Sequence, residues 1–294
     1  MRLPDLVLGA SLLALAGSVC ATTTPSPQAR CEDRLVAAIP ARAAGAASGS
    51  EFATRIAALG SEERDAAVRV ELLRGNLPPF LRRLVPVTLR ERDPAGRAVE
   101  VTACVLPDYL ALGSDRDFLL VSMGLQAALE VADRYGFVLP TPKLVDAIYA
   151  QSAVKLEPLP LPASSEMRGT PYLVAHNGLI AWQRASLDAP LGLLIAGHKK
   201  DLVVSNRLWQ APGRVAIYGW HRGDGQPIQP LSTVHGARYA DYSHGVRLVS
   251  NTVYVNGAPR SLAALLADPE LAAVLSDEGP LHHAGLPRLA AANP

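Results

Sequence analysis

The run VPVTLRER, DPAG, RAVEVTACVL, residues 85 to 106, constrains the fold more than any other part of this 294-residue chain. Two segments that alternate apolar and polar side chains flank a turn of Asp, Pro, Ala and Gly. Period-two alternation marks a half-buried strand, and such a turn joins two strands antiparallel. The chain is therefore committed to a β-hairpin with Cys104 on its second strand. DYLALG, SDRD and FLLVSM repeat the pattern directly afterwards. Asp108, Asp115 and Asp117 read there as turn residues, where a short carboxylate bonds nearby backbone N–H groups.

Helices flank the hairpins. SGSEFATRIAALG carries Ser50 as a cap and Gly60 as a stop, and SEERDAAVRVELLRG runs from Ser61 to Gly75. SMGLQAALEVADRYG offers Ser122 as cap and Gly136 as terminator, while Thr141-Pro142 is a strong helix start. A third helix is expected from about Thr170 to Arg184. The Pro-rich stretch KLEPLPLPASSEM, residues 155 to 167, is the best internal boundary, either a linker or the extended wall of a groove. The expected class is α+β. Helices and β-hairpins occupy residues 22–154, and a mixed sheet with flanking helices occupies 155–294, with one continuous domain as the alternative.

Residues 1–21 read as a secretory signal peptide. Arg2 precedes an apolar run from Leu6 to Val19, which is shorter than the roughly 20 residues of a spanning helix and is followed by Thr and Pro. Val19-Cys20-Ala21 matches a small-x-small cleavage pattern, so a secreted or periplasmic location is expected, without a transmembrane segment in the mature chain. The alternative is a lipid anchor at Cys20, although Leu is missing where a lipobox would begin. Export leaves Cys31 and Cys104, which can pair as a disulfide in an oxidising compartment. A net charge of +1, from 28 Lys and Arg against 27 Asp and Glu, gives no steering toward nucleic acid or an anionic membrane.

Chemistry concentrates after the Pro-rich stretch. LGLLIAGHKKDLVVSN holds His198, Lys199, Lys200 and Asp201 between two apolar runs and ends at Ser205 and Asn206. GRVAIYGWHRGDG places Trp220, His221, Arg222 and Asp224 after a strand. STVHGARYADYSHGVRLVS holds His235, Tyr239, Asp241, Tyr242, Ser243, His244 and Arg247. Polar groups that recur at strand ends converge on one rim if the strands are neighbours.

His198, Lys200, Asp201, His235, Asp241 and His244 are the candidate catalytic residues, and Asn206, Trp220, His221, Tyr239, Tyr242 and Arg247 the candidate substrate contacts. His235 suits a general base because free imidazole titrates near pH 6.5. Asp241 would orient it or ligate a metal, and Lys200 would stabilise developing negative charge. Asp201 and Asp241 are also a candidate acid–base pair for glycoside hydrolysis. His235, Asp241 and His244 have donor types that suit zinc, the one cofactor considered. STVHGARYAD faintly resembles the Ser-x-His…Asp signature of zinc D-Ala-D-Ala carboxypeptidases. The Ser–His spacing is one too long, the His–Asp spacing one too short, and the later Glu…His-Trp is missing, so no role is carried over from that family. No Gly-x-Ser-x-Gly elbow occurs, which argues against an α/β-hydrolase.

The expected function is a secreted hydrolase acting on a peptide, ester or glycan polymer, or a small-molecule substrate. The alternative is an extracellular carbohydrate- or peptide-binding protein with an aromatic groove formed by Trp209, Tyr218, Trp220, Tyr239 and Tyr242. The tail pair His282-His283 reads as solvated loop. The export reading predicts a mature chain beginning near Thr22. Intact-mass measurement of the exported protein checks this, and a retained Met1 or a diacylated Cys20 would refute it.

Overall fold

The computed structural model describes residues 26–32 and 39–282. The expected leader, with Cys20, and His283 lie outside the described residues. The first half runs α1 (Pro27–Glu32), α2 (Gly49–Arg55), α3 (Ser61–Leu73), β1 (Val85–Arg92), β2 (Ala98–Val105), β3 (Ala111–Ser114), β4 (Asp117–Leu120), α4 (Leu125–Tyr135), β5 (Phe137–Val138), α5 (Pro142–Gln151) and β6 (Val154–Lys155). The second half continues with α6 (Thr170–Ser186), β7 (Ile195–Ala196), β8 (Lys200–Leu202), α7 (Arg207–Gln210), β9 (Ile217–His221), β10 (Pro227–Ser232), β11 (His244–Gly245), β12 (Val249–Val255), β13 (Ala258–Ser261), α8 (Leu262–Leu266) and α9 (Ala272–Leu275). This is an α+β fold.

Both expected hairpins form. β1 and β2 pair antiparallel from Val85↔Val105 to Arg92↔Ala98, with the Asp93 carboxylate accepting from Arg97 N across the turn at 2.8 Å. β3 and β4 pair from Ala111↔Leu120 to Ser114↔Asp117. β2 continues into a five-stranded sheet through β12, which also pairs with β13 and β5. A second sheet has the order β10-β9-β8-β11 and is mixed, because β11 runs parallel to β8. β2 and β12 bury Val101, Ala103, Val105, Val249 and Val253, and one hydrophobic core runs from Cys31 to Leu281.

Local chemistry explains the helix boundaries. Thr141 caps α5 by accepting from Leu144 N at 3.1 Å, with Pro142 in the first turn. α2 is capped by Ser48 rather than Ser50. Ser48 Oγ accepts from Glu51 N and the Glu51 carboxylate accepts from Ser48 N at 2.9 Å, a reciprocal capping box. Ser50 instead donates to Asp117, which ties α2 to the β3–β4 turn. α4 starts after Gly124 and not after Ser122, because Gly124 N donates to the buried Asp65 at 2.6 Å. α6 runs two residues beyond the expected Arg184. Among the described residues, no helix is long and apolar enough to cross a membrane.

Cys31 and Cys104 form a disulfide, with Cα atoms 5.3 Å apart, that joins α1 to β2. It closes a loop spanning 73 residues of sequence. On the chain-entropy account such a crosslink stabilises by about 4 kcal/mol. The Cys31→Ala, Cys104→Ala double variant should therefore lose about that much in chemical denaturation, with retained α+β circular dichroism below its lowered midpoint. An unchanged midpoint would mean that the crosslink leaves the unfolded chain unconstrained.

Candidate functional site

The placement of polar residues on β8 follows from strand geometry. Successive side chains point to opposite faces, and register partners on adjacent strands share a face. Lys200 pairs with His244 on β11 and with Gly219 on β9, whereas Asp201 pairs with Gly245 and Tyr218. Lys200 and His244 therefore share one face, and Asp201 occupies the other. Gly245 permits this pairing: a Cβ there would meet the Tyr109 ring at 2.5 Å.

β9 breaks the alternation. Gly219 and Trp220 have φ of 104° and 58°, two consecutive left-handed residues. The turn of the backbone lets Tyr218 and His221, three positions apart, meet the same carboxylate. Tyr218 Oη donates to Asp146 at 3.0 Å and His221 Nε2 lies 2.8 Å from Asp146 Oδ1. His221 also stacks on Tyr149. Trp220 instead lies against Lys200, whose ammonium is 5.1 Å from the ring centre.

The group that converges is His235, Tyr239, Asp241, Ser243, His244 and Lys200. Residues 241 to 243 form a turn, so Asp241 and His244 meet despite their odd spacing. Asp241 Oδ1 accepts from Ser243 N at 2.8 Å and Ser243 Oγ at 2.6 Å, and lies 4.0 Å from His244 Nε2. Asp241 Oδ2 accepts from Tyr239 Oη at 3.2 Å. The His235 ring stacks on Tyr239 at 3.9 Å with 6° between planes, and its centre is 6.2 Å from that of His244. His244 is fully buried, yet neither ring nitrogen has a hydrogen-bond partner. His235 is only half-buried.

The Pro-rich stretch forms one wall of this region. Leu161 N donates to Tyr242 Oη at 2.7 Å, and Tyr242 N donates to Met167 O at 3.0 Å. Arg168 lies 5.3 Å from the Tyr239 ring centre. His176 on α6 packs edge-on to Trp220 and Tyr242.

His198, Asp201 and Arg247 belong to a different, buried network. Asp108 accepts from Arg184 at 2.6 Å and lies 3.0 Å from His198 Nε2. Tyr109 Oη donates to Asp201 at 2.8 Å, and Arg247 lies 4.3 Å over Tyr109 while donating to Leu106 O and Ile195 O. Asn206 donates to Pro280 O and accepts from His282 N, so it ties down the C-terminal segment. Asp108, His176, Lys199 and Arg184 were not singled out from sequence as site or network residues. Lys199 is fully buried and donates to Tyr242 O.

Electrostatics separate the groups further. Burial lowers the His244 pKa to about 4, against the opposing pull of Asp241. Burial also lowers His235, again opposed by Asp241. Both imidazoles are therefore neutral at neutral pH. Burial works to raise Asp241, but the His244 ring, the Ser243 bonds and Lys200 outweigh it, and its pKa is lowered. Burial, then Asp241, raises Tyr239 to about 12. Burial lowers Lys199 to about 7 and raises Asp201 to about 6.

Zinc does not fit as the residues stand. Ligand atoms about 2 Å from one zinc lie roughly 3–3.5 Å from each other. His244 and Asp241 are 4.0 Å apart, Asp241 Oδ1 is taken by Ser243, and the His235 ring is held flat on Tyr239. Among the described residues, no group of three His, Cys, Asp or Glu is arranged to hold a metal ion.

Comparison with protein-family models, curated proteins and solved structures finds no match to this chain.

The depressed His244 pKa has a stability consequence with a definite sign. The unfolded chain binds a proton on this imidazole below about pH 6.5, whereas the folded chain resists it down to about 4. Stability from this group is therefore present above 6.5 and is lost as pH falls toward 4, by about 3 kcal/mol in all. His244→Gln should flatten the fall in Tm between pH 6.5 and 4 relative to the parent chain. Equal slopes would mean that His244 titrates normally in the fold.

Proposed function

We propose that the chain is a hydrolase acting on an ester or amide bond in a polymer of the cell envelope or surroundings, with His235 as general base. The observation that carries this reading is the half-buried His235 ring, stacked on a tyrosine whose hydroxyl is held by the buried Asp241. A base must be neutral at working pH, reachable and fixed in orientation, and His235 meets all three conditions. It would take a proton from water as the oxygen attacks the carbonyl, then return it to the leaving oxygen or nitrogen.

Lys200 is the group suited to the oxyanion, a half-buried cation beside the fully buried His244. A neutral imidazole has one N–H donor and one acceptor, and neither His244 nitrogen has a partner. His244, sealed from solvent, lies beside Lys200 on the same sheet face and lines the site from within. Asp241 acts as a positioning residue through Tyr239 and Ser243. Asp201 turns away toward Tyr109 and Arg247, which favours acyl chemistry over glycoside cleavage by two carboxylates. Trp220 and Tyr242 are buried rather than set in an exposed row, which gives the aromatic binding groove less support. The Cys31–Cys104 disulfide is compatible with an oxidising compartment.

A screen of peptides, esters and glycans with the full chain tests the proposal. His235→Ala should lower kcat/KM by about 100-fold or more, and Asp241→Asn by about 10-fold, with unchanged circular dichroism. Because burial lowers the His235 pKa, the acid limb of the pH–rate profile should fall below pH 6.5. Undiminished activity in both variants would overturn the assignment.

A further inference from the structure

Among the described residues α6 is the longest helix, and its outward face is bare of charge. His176 and Arg184 of this helix point into the fold and are buried. Val174, Ala175, Gly178, Ala181, Trp182 and Ala185 make up the middle of the exposed face, and no exposed residue of α6 is charged. Trp182 is 64% exposed and Val174 43%. A surface helix ordinarily turns charged and polar residues to water. Leu187, Leu191 and Leu193 continue the apolar exposure in the chain just beyond the helix end. Contiguous apolar surface of this kind marks an interaction site.

Gly178 sits at the midpoint of Thr170–Ser186. Glycine is a poorer helix former than alanine, and here its own chain does not require it. A Cβ at Gly178 would meet no atom of the described residues within 4 Å. What the glycine supplies is room for a second backbone to come close. Residues four apart share a helix face, so Val174 and Trp182 flank Gly178 at equal distances along that face. A two-fold axis through Gly178, normal to the helix, would set each residue before Gly178 opposite the one equally far after it on a second copy. Trp182 then meets Val174, Ala175 meets Ala181, and Gly178 meets Gly178. The bulky ring lies against a mid-sized side chain, and the small residues oppose one another where the backbones are nearest.

We propose that this face pairs with the same face of a second copy of the chain, α6 against α6, antiparallel and crossing at Gly178. A closed two-fold contact needs one self-complementary patch, which this face provides. Charge does not oppose it, since 28 Lys and Arg stand against 27 Asp and Glu in each copy. A lipid surface is served less well. Helices that lie on membranes carry Lys or Arg beside the apolar face, and none is exposed on α6. Fluid lipid also has no use for a glycine at the centre. The area sets the strength. A helix of 17 residues is about 25 Å long and about 12 Å across, a footprint of roughly 300 Å². A standard interface covers about 800 Å² on each partner. The pair is therefore weak and reversible, with a Kd on the order of 100 μM.

The test is sedimentation velocity of the full chain from about 5 to about 500 μM, either side of that Kd. The parent should pass reversibly from monomer to dimer. Trp182→Glu would bury a charge in the contact and should weaken association by about tenfold or more, with unchanged circular dichroism. Trp182→Phe keeps a ring and should retain most of the association, which guards against a misfolded Glu variant. Gly178→Cys tests the axis directly, because the two thiols would meet there and oxidation should give a covalent dimer. Ser186→Cys lies about 12 Å along the helix from the axis, so its two thiols stand too far apart to join. A monomer throughout the range, a dimer that Trp182→Glu leaves intact, or equal crosslinking at both positions would overturn the pairing. So would a chain that stays monomeric in solution but adsorbs to phosphatidylcholine–phosphatidylglycerol vesicles and loses this in Trp182→Glu, which would give the face to lipid.

Discussion

The buried carboxylate of Asp108 is the constraint on which the rest of the structure depends. It has no solvent exposure and accepts from Arg184 of α6, from His198 ahead of β8, and from Tyr109 N at 2.7 Å. Burial alone would favour the protonated acid, but the His198 contact and the Arg184 charge prevail and hold its pKa at about 2. His198 is itself kept neutral by burial, so Arg184 supplies the lasting countercharge. Leaving one member of a buried pair without its partner costs about 3–5 kcal/mol, so this junction resists piecemeal change.

Tyr109 and Arg247 extend the junction to both sheets. Arg247 lies just ahead of β12 and donates to Leu106 O after β2 and to Ile195 O of β7, while Tyr109 reaches Asp201 of β8. The five-stranded and four-stranded sheets are thereby held in one relation. The parallel pairing of β11 with β8 can then adopt the one register that sets His244 beside Lys200. A shift by a single residue would exchange Lys200 for Asp201 and place a carboxylate where the cation now stands.

Much of this was legible in the sequence wherever the signal was local. The two hairpins follow from alternation and turn residues, and the start of α5 follows from Thr141-Pro142. His235, Tyr239, Asp241 and His244 could be grouped because they lie within ten residues and a turn folds them together. What failed to show was the direction of each polar side chain. Asp108 looks like any Asp before a strand, and its partners are 76 and 90 positions away. His198, Asp201 and Arg247 read as rim residues because a polar group at a strand end looks the same whether it faces solvent or a buried partner. Trp220 and His221 could not be separated without knowing that Gly219 and Trp220 are left-handed. The cap of α2 was readable after all, since Ser48 has a Glu three residues later and Ser50 does not.

The candidate site sits on irregular chain, which ordinarily means mobility and poor definition of angles. Here the loop from His235 to Ser243 is tied at several points. Val215 N donates to His235 O, Ala237 N to Gly213 O, and Leu125 N to Ala237 O. Tyr242 is held by the Pro-rich wall through Leu161 and Met167 and by the Lys199 ammonium. Asp241, between these anchors, fixes Tyr239 and so the plane on which His235 rests. Pro158, Pro160 and Pro162 fix φ at three positions of the wall, which lowers the conformational entropy lost there on folding. The polar groups of this loop are therefore held in fixed orientation by the fold itself, which is what a preorganised imidazole and ammonium would require.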